Sequence, residues 1–119
     1  MKKLYYYLIS SMVFLGCADF VEYPLEKVQV SLQAPIDSLV TTDSIITFWW
    51  DTHQDAKFYR IQVVNPNFEK THQLIADSLV DINQLTLKLK IGDYQWRVRP
   101  ENYGSSGLFS AQRNIQVKE

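Results

Sequence analysis

At 119 residues the chain has room for one domain, and its length excludes a second hydrophobic core. Its net charge of −1 becomes more negative if Lys2 and Lys3 leave with a leader, which excludes the basic footprint of a nucleic-acid-binding protein. The 46% apolar and 13% aromatic content is that of a packed globular protein, and the single cysteine, Cys17, excludes an internal disulfide or a thiolate metal cluster.

Met1, Lys2 and Lys3 form a positive start, and residues 4–16 are an uncharged, largely apolar run of the length found in the centre of a secretory signal. A bilayer span needs roughly 20 apolar residues, so this run is too short to cross one. It ends Phe14-Leu15-Gly16-Cys17, which resembles the lipobox of bacterial lipoproteins, with Phe14 where that family usually has Leu. The resemblance implies a signal peptide over residues 1–16, lipid attachment at Cys17, and a tether over residues 17–25. An ordinary secretory leader, or a buried N-terminal segment that happens to contain Cys17, is the other reading. Asp19 and Glu22 are similar to the export tags of surface lipoproteins of the Bacteroidota, which implies an outer-membrane location in the cell envelope. In proteobacteria an Asp in this place would imply retention at the inner membrane.

From Glu26 onward apolar residues recur with period two, the pattern of half-buried strands. Val28, Val30 and Leu32 form the first inward set, and Ile46, Phe48 and Trp50 the second, after a polar turn at residues 41–44. Tyr59, Ile61 and Val63 form the third, closed by Asn65-Pro66-Asn67. A shorter piece is expected around residues 74–77, then a set of Leu85, Leu87, Leu89 and Ile91. Gly92 and Asp93 make a turn, after which Tyr94, Trp96 and Val98 face one way and Gln95, Arg97 and Arg99 the other. A loop over residues 101–107 leads to a last strand with Ile115 and Val117, where Arg113 breaks the alternation and suggests a bulge. No stretch has helical apolar spacing. The expected fold is all-β: an immunoglobulin-like sandwich of about seven antiparallel strands.

The segments Ile46-Thr-Phe-Trp-Trp50, Phe58-Tyr-Arg-Ile-Gln-Val63 and Gly92-Asp-Tyr-Gln-Trp-Arg-Val-Arg99 together resemble bacterial fibronectin type III domains, over residues 26–119. The resemblance implies that Trp50 fills the core and that Tyr94 forms a tyrosine corner. The chain departs from the animal modules in having Leu at 87 and 89 and no Pro soon after Tyr94.

No residue set suits catalysis. His53 and His72 fall in turn or edge segments without metal-ligand spacing, and Asp51 and Asp55 beside His53 are explained by the preference of turns for Asp. No cofactor is expected and no enzyme is indicated. Strand parity sends Trp49 outward, and places Arg60, Arg97 and Arg99 beside Phe58 on the other sheet, with Tyr103 in a loop. These six residues are the candidate binding surface. The expected function is that of a non-enzymatic, membrane-anchored interaction or spacer module, an accessory lipoprotein of an outer-membrane complex. Its partners are then the membrane, through the lipid, and a cell-envelope protein. The alternative is a glycan-binding surface lipoprotein in which Trp49, Tyr103 or Phe58 stacks on a sugar.

Overall fold

The computed structural model describes residues 23–119, so the expected signal peptide and the lipid site at Cys17 lie outside the described residues. Eight strands form two packed sheets, with no helix among the described residues. The smaller sheet holds β1 (Leu32–Ala34), β3 (Ile45–Trp50) and β6 (Gln84–Lys88) in the order β1-β3-β6. The larger holds β2 (Leu39–Thr41), β4 (Phe58–Asn65), β5 (Gln73–Val80), β7 (Gly92–Glu101) and β8 (Arg113–Val117) in the order β2-β8-β7-β4-β5.

Because side chains alternate across a strand, each apolar set lands on one face and meets its counterpart from the opposite sheet. Phe48 and Trp50 of β3 have no exposed surface, nor do Ile61 and Val63 of β4 or Trp96 and Val98 of β7. Phe48 meets Trp96 edge-on with ring centres 4.9 Å apart, and Trp50 meets Tyr59 at 5.9 Å. The indole N–H groups of Trp50 and Trp96 find no acceptor among the described residues, so packing alone holds both rings.

Five details differ from the expected pattern. The sandwich has an eighth strand, β2, and it pairs parallel with β8, so the pairing is not wholly antiparallel. At three residues β2 is too short to display a period. The first strand is shorter than its pattern, since Val30 is buried but pairing begins only at Leu32. β5 is eight residues long, and its irregular alternation reflects a slip in register against β4 between Val63 and Val64. Ile91 is 62% exposed rather than inward, because β6 ends at Lys88 and the chain turns before β7. Arg113 marks no bulge: β8 runs in register with β7, and the Arg113 guanidinium reaches the carbonyls of Leu32 and Pro35, both at 2.9 Å, tying β8 to the β1 segment.

The turn before β7 is fixed by Tyr94, whose hydroxyl donates to the Lys90 carbonyl at 2.7 Å, the tyrosine corner implied by the resemblance. At the other end of the sandwich Asn102 is the hub. Its Nδ2 donates to the carbonyls of Tyr23 (2.8 Å) and Asp55 (3.2 Å), and its Oδ1 accepts from the N–H groups of Gly104 (3.0 Å) and Ser105 (2.8 Å). Leu25 is fully buried and its N–H donates to Ser105 Oγ, so the folded unit takes in residues 23–25. Gly107 closes this end: a Cβ there would lie 2.5 Å from the Val28 carbonyl oxygen, a contact no side chain tolerates.

Candidate functional site

The outward face of the larger sheet is set by register. β4 and β7 pair so that Arg60 opposes Arg99, Gln62 opposes Arg97 and Phe58 opposes Glu101. Like charges directly opposite would repel, and the two acids resolve it. Arg60 donates through Nη1 to Asp77 on β5 and through Nε to Glu101, each at 3.0 Å, while Arg99 Nε donates to the same Glu101 oxygen at 3.0 Å. Asp77 and Glu101 thus raise the pKa of the Arg60 guanidinium, mainly through these hydrogen bonds.

Arg97 is held differently. Its guanidinium carbon lies 4.0 Å from the centre of the Phe68 ring and 4.2 Å from that of Phe109, and Nε donates to Gln62 at 2.9 Å. Arg99 lies 4.6 Å from the Phe109 ring. Two aromatic faces stabilise the Arg97 cation through their quadrupoles, while burial, and then the charge of Arg99, lower its pKa. The three arginines read from the sequence do come together, as members of a ladder of rings and ion pairs.

The other candidates divide between the sheets. Trp49 stands on the outward face of β3, 45% exposed, opposite Gln84 of β6 and in line with the exposed Ile45. Phe58 and Tyr103 meet edge-on at 5.3 Å at the end of the larger sheet, with Tyr103 79% exposed. The structure therefore does not bring Trp49 together with Phe58 and Tyr103. His53 Nδ1 accepts from the Asp55 N–H at 3.1 Å, and the His53 N–H donates to the Tyr59 hydroxyl at 2.9 Å, so this cluster caps a turn. Among the described residues no three of His, Cys, Asp or Glu converge on a point where a metal could sit.

Phe68, Phe109, Asp77 and Glu101 were not singled out by the sequence pattern. Phe68 and Phe109 lie in connecting segments with no periodicity to reveal their direction. Only the sheet register places the two acids beside arginines.

No family model matches the chain, and no curated protein matches it. Solved structures do. The fibronectin(III)-like modules of CbhA from Clostridium thermocellum are 15% identical, with a TM-score of 0.51 over 75% of this chain and 95% of theirs. A fibronectin type III domain derived from the human KIAA0970 protein is 11% identical, with a TM-score of 0.55 over 76% of this chain and 74% of that one. The twitchin kinase region of C. elegans is 15% identical, with a TM-score of 0.56 over 79% of this chain and 17% of that one. Two sheets in this strand order, a core tryptophan, a tyrosine corner and these neighbours together make the chain a β-sandwich of the fibronectin type III fold.

Proposed function

We propose that the protein is a non-enzymatic interaction module of the bacterial cell envelope, held at the outer membrane by lipid on Cys17 and presenting its sandwich to a protein partner. The observation that carries the reading is Trp49. A tryptophan 45% exposed on the wet face of a strand, in line with an Ile45 that is 58% exposed, leaves apolar surface that contact with a partner would remove from water. Fibronectin type III modules as structural neighbours support a docking or spacer role over a catalytic one. The arginines of the larger sheet are engaged with acids and rings, so they serve the fold before they serve a ligand.

Affinity purification from native membranes solubilised in mild detergent tests the reading. The wild-type chain is expected to bring down a defined envelope protein, and Trp49→Ala to lose it while the bait remains folded. Recovery that is the same with both baits would move the contact away from β3. If the wild type retains nothing beyond a bead control, the interaction role fails and a bare spacer remains.

A further inference from the structure

Next to the arginine ladder, beyond Arg97, the larger sheet carries a groove of about 500 Å3 whose lining includes Asn67, Glu69, Gln95, Gln112, Asn114 and Gln116. Five of its thirteen lining residues carry carboxamides. Their orientation is partly fixed in advance. Gln95 Oε1 accepts from the Phe68 N–H at 3.0 Å and its Nε2 donates to Asn114 Oδ1 at 3.0 Å. Asn67 Oδ1 accepts from the Lys70 N–H at 2.8 Å. Each amide nitrogen carries two hydrogens. The Nδ2 groups of Asn67 and Asn114 and one hydrogen of Gln95 Nε2 therefore have no acceptor among the described residues. The side chains of Gln112, Gln116 and Glu69 make no hydrogen bond among the described residues.

We infer that this groove is a binding site for a neutral sugar of one or two rings. Planar amides and carboxylates pair with the adjacent hydroxyls of a sugar, each amide offering both a donor and an acceptor. A ligand meeting side chains already locked by their own hydrogen bonds loses less entropy on binding. The volume lies in the range of small-molecule sites, and the Pro66 ring and the exposed Val40 on the same lining supply apolar surface for the C–H face of a ring. Glu69 and Asp93 on the lining make an anionic sugar the wrong ligand. The wall also contains Ser38, whose φ of 63° is a left-handed conformation uncommon outside glycine, held by its N–H donating to the Asn114 carbonyl at 2.9 Å. This site lies on the sheet opposite Trp49, so it is separate from the protein contact proposed for β3.

The test is binding of the full chain, purified in a zwitterionic detergent without a sugar headgroup, to an array of neutral and acidic oligosaccharides. The best neutral hit is then titrated against single variants by side-chain amide NMR. Binding of neutral glycans is expected, with the Asn67, Gln95 and Asn114 side-chain amide signals moving. Asn114→Ala and Gln116→Ala should each weaken binding about tenfold, as the loss of a well-made hydrogen bond does. Trp49→Ala should leave the affinity unchanged. The Gln116 side chain makes no hydrogen bond among the described residues, so its variant tests the site even if Asn114→Ala unfolds. An array with no neutral glycan bound, a preference for acidic glycans, or binding lost with Trp49→Ala but kept with Gln116→Ala would overturn the inference.

Discussion

Trp49 and Trp50 are neighbours in sequence with opposite environments: Trp50 has no exposed surface and meets Tyr59 edge-on at 5.9 Å, whereas Trp49 keeps 45% of its surface on the other face of β3. Truncating a buried tryptophan costs about 3–5 kcal/mol, a large share of the roughly 5–15 kcal/mol that holds a domain together. Trp50→Ala is therefore expected to unfold the protein or to lower its melting temperature by more than about 15 °C. Trp49→Ala should stay within a few degrees of wild type, as surface substitutions do. Thermal melts followed by circular dichroism check both, and a larger loss with Trp49→Ala would contradict the register of β3.

The corner at Tyr94 makes a prediction that depends on pH. Burial raises the pKa of the Tyr94 hydroxyl above its ordinary 10.0, against a smaller opposing effect from its bond to the Lys90 carbonyl. A raised folded-state value means that the fold favours the protonated phenol. This stabilisation is complete below the unfolded value near 10 and is lost as the pH rises through the folded value. The melting temperature of the wild type should thus fall above about pH 10 more steeply than that of Tyr94→Phe. At neutral pH the variant should be less stable by about 0.5–1.5 kcal/mol for the lost hydrogen bond. Parallel alkaline limbs for the two proteins would contradict the account.

Asn102 joins three segments through one side chain, so its truncation should act well beyond its size. Asn102→Ala leaves the carbonyls of Tyr23 and Asp55 and the N–H groups of Gly104 and Ser105 without that partner. The cost expected is about 2–3 kcal/mol, or a fall of roughly 10–20 °C for a domain of this size. Hydrogen exchange should accelerate most at residues 102–107. Asn102→Asp keeps the two acceptor bonds but turns a carboxylate oxygen toward the carbonyls of Tyr23 and Asp55, and should also destabilise the domain.

The arginine ladder can be separated into charge and shape. Lysine keeps the charge of Arg97 but has no planar group to lie between Phe68 and Phe109 and no Nε to bond Gln62. Arg97→Lys is expected to cost about 1–2 kcal/mol despite conserving charge. Urea denaturation measures it, and a neutral result would mean that charge alone matters on this face.

How much of this was legible in the sequence depended on distance along the chain. Trp50 inward and Trp49 outward follow from strand parity over six residues, and Tyr94 could be placed because its corner bond spans only four. Arg60, Arg97 and Arg99 were readable as sharing a face, but not as being paired, because Asp77 and Glu101 reach them only through the register of three strands. Ile91 was misread because alternation carries no signal for where a strand stops. Arg113 was read as a local fault, whereas it is a clamp onto a segment about eighty residues away. The amide groove was hidden for a related reason, since its amides come from β7, β8 and the β4–β5 and β7–β8 connections and meet only in the folded sheet.

The anchor is the part of the proposed function on which the envelope location depends, and metabolic labelling tests it most directly. Cells expressing the wild type or Cys17→Ser are grown with an alkyne analogue of palmitate, and the protein is isolated and conjugated to a dye. A lipidated cysteine carries at least two acyl chains, enough for stable membrane retention where a single chain is not. The account predicts that the wild type is labelled and sediments with the outer-membrane fraction, while Cys17→Ser is unlabelled and is not retained there. Equal labelling of the two proteins, or an unlabelled wild type, would contradict it.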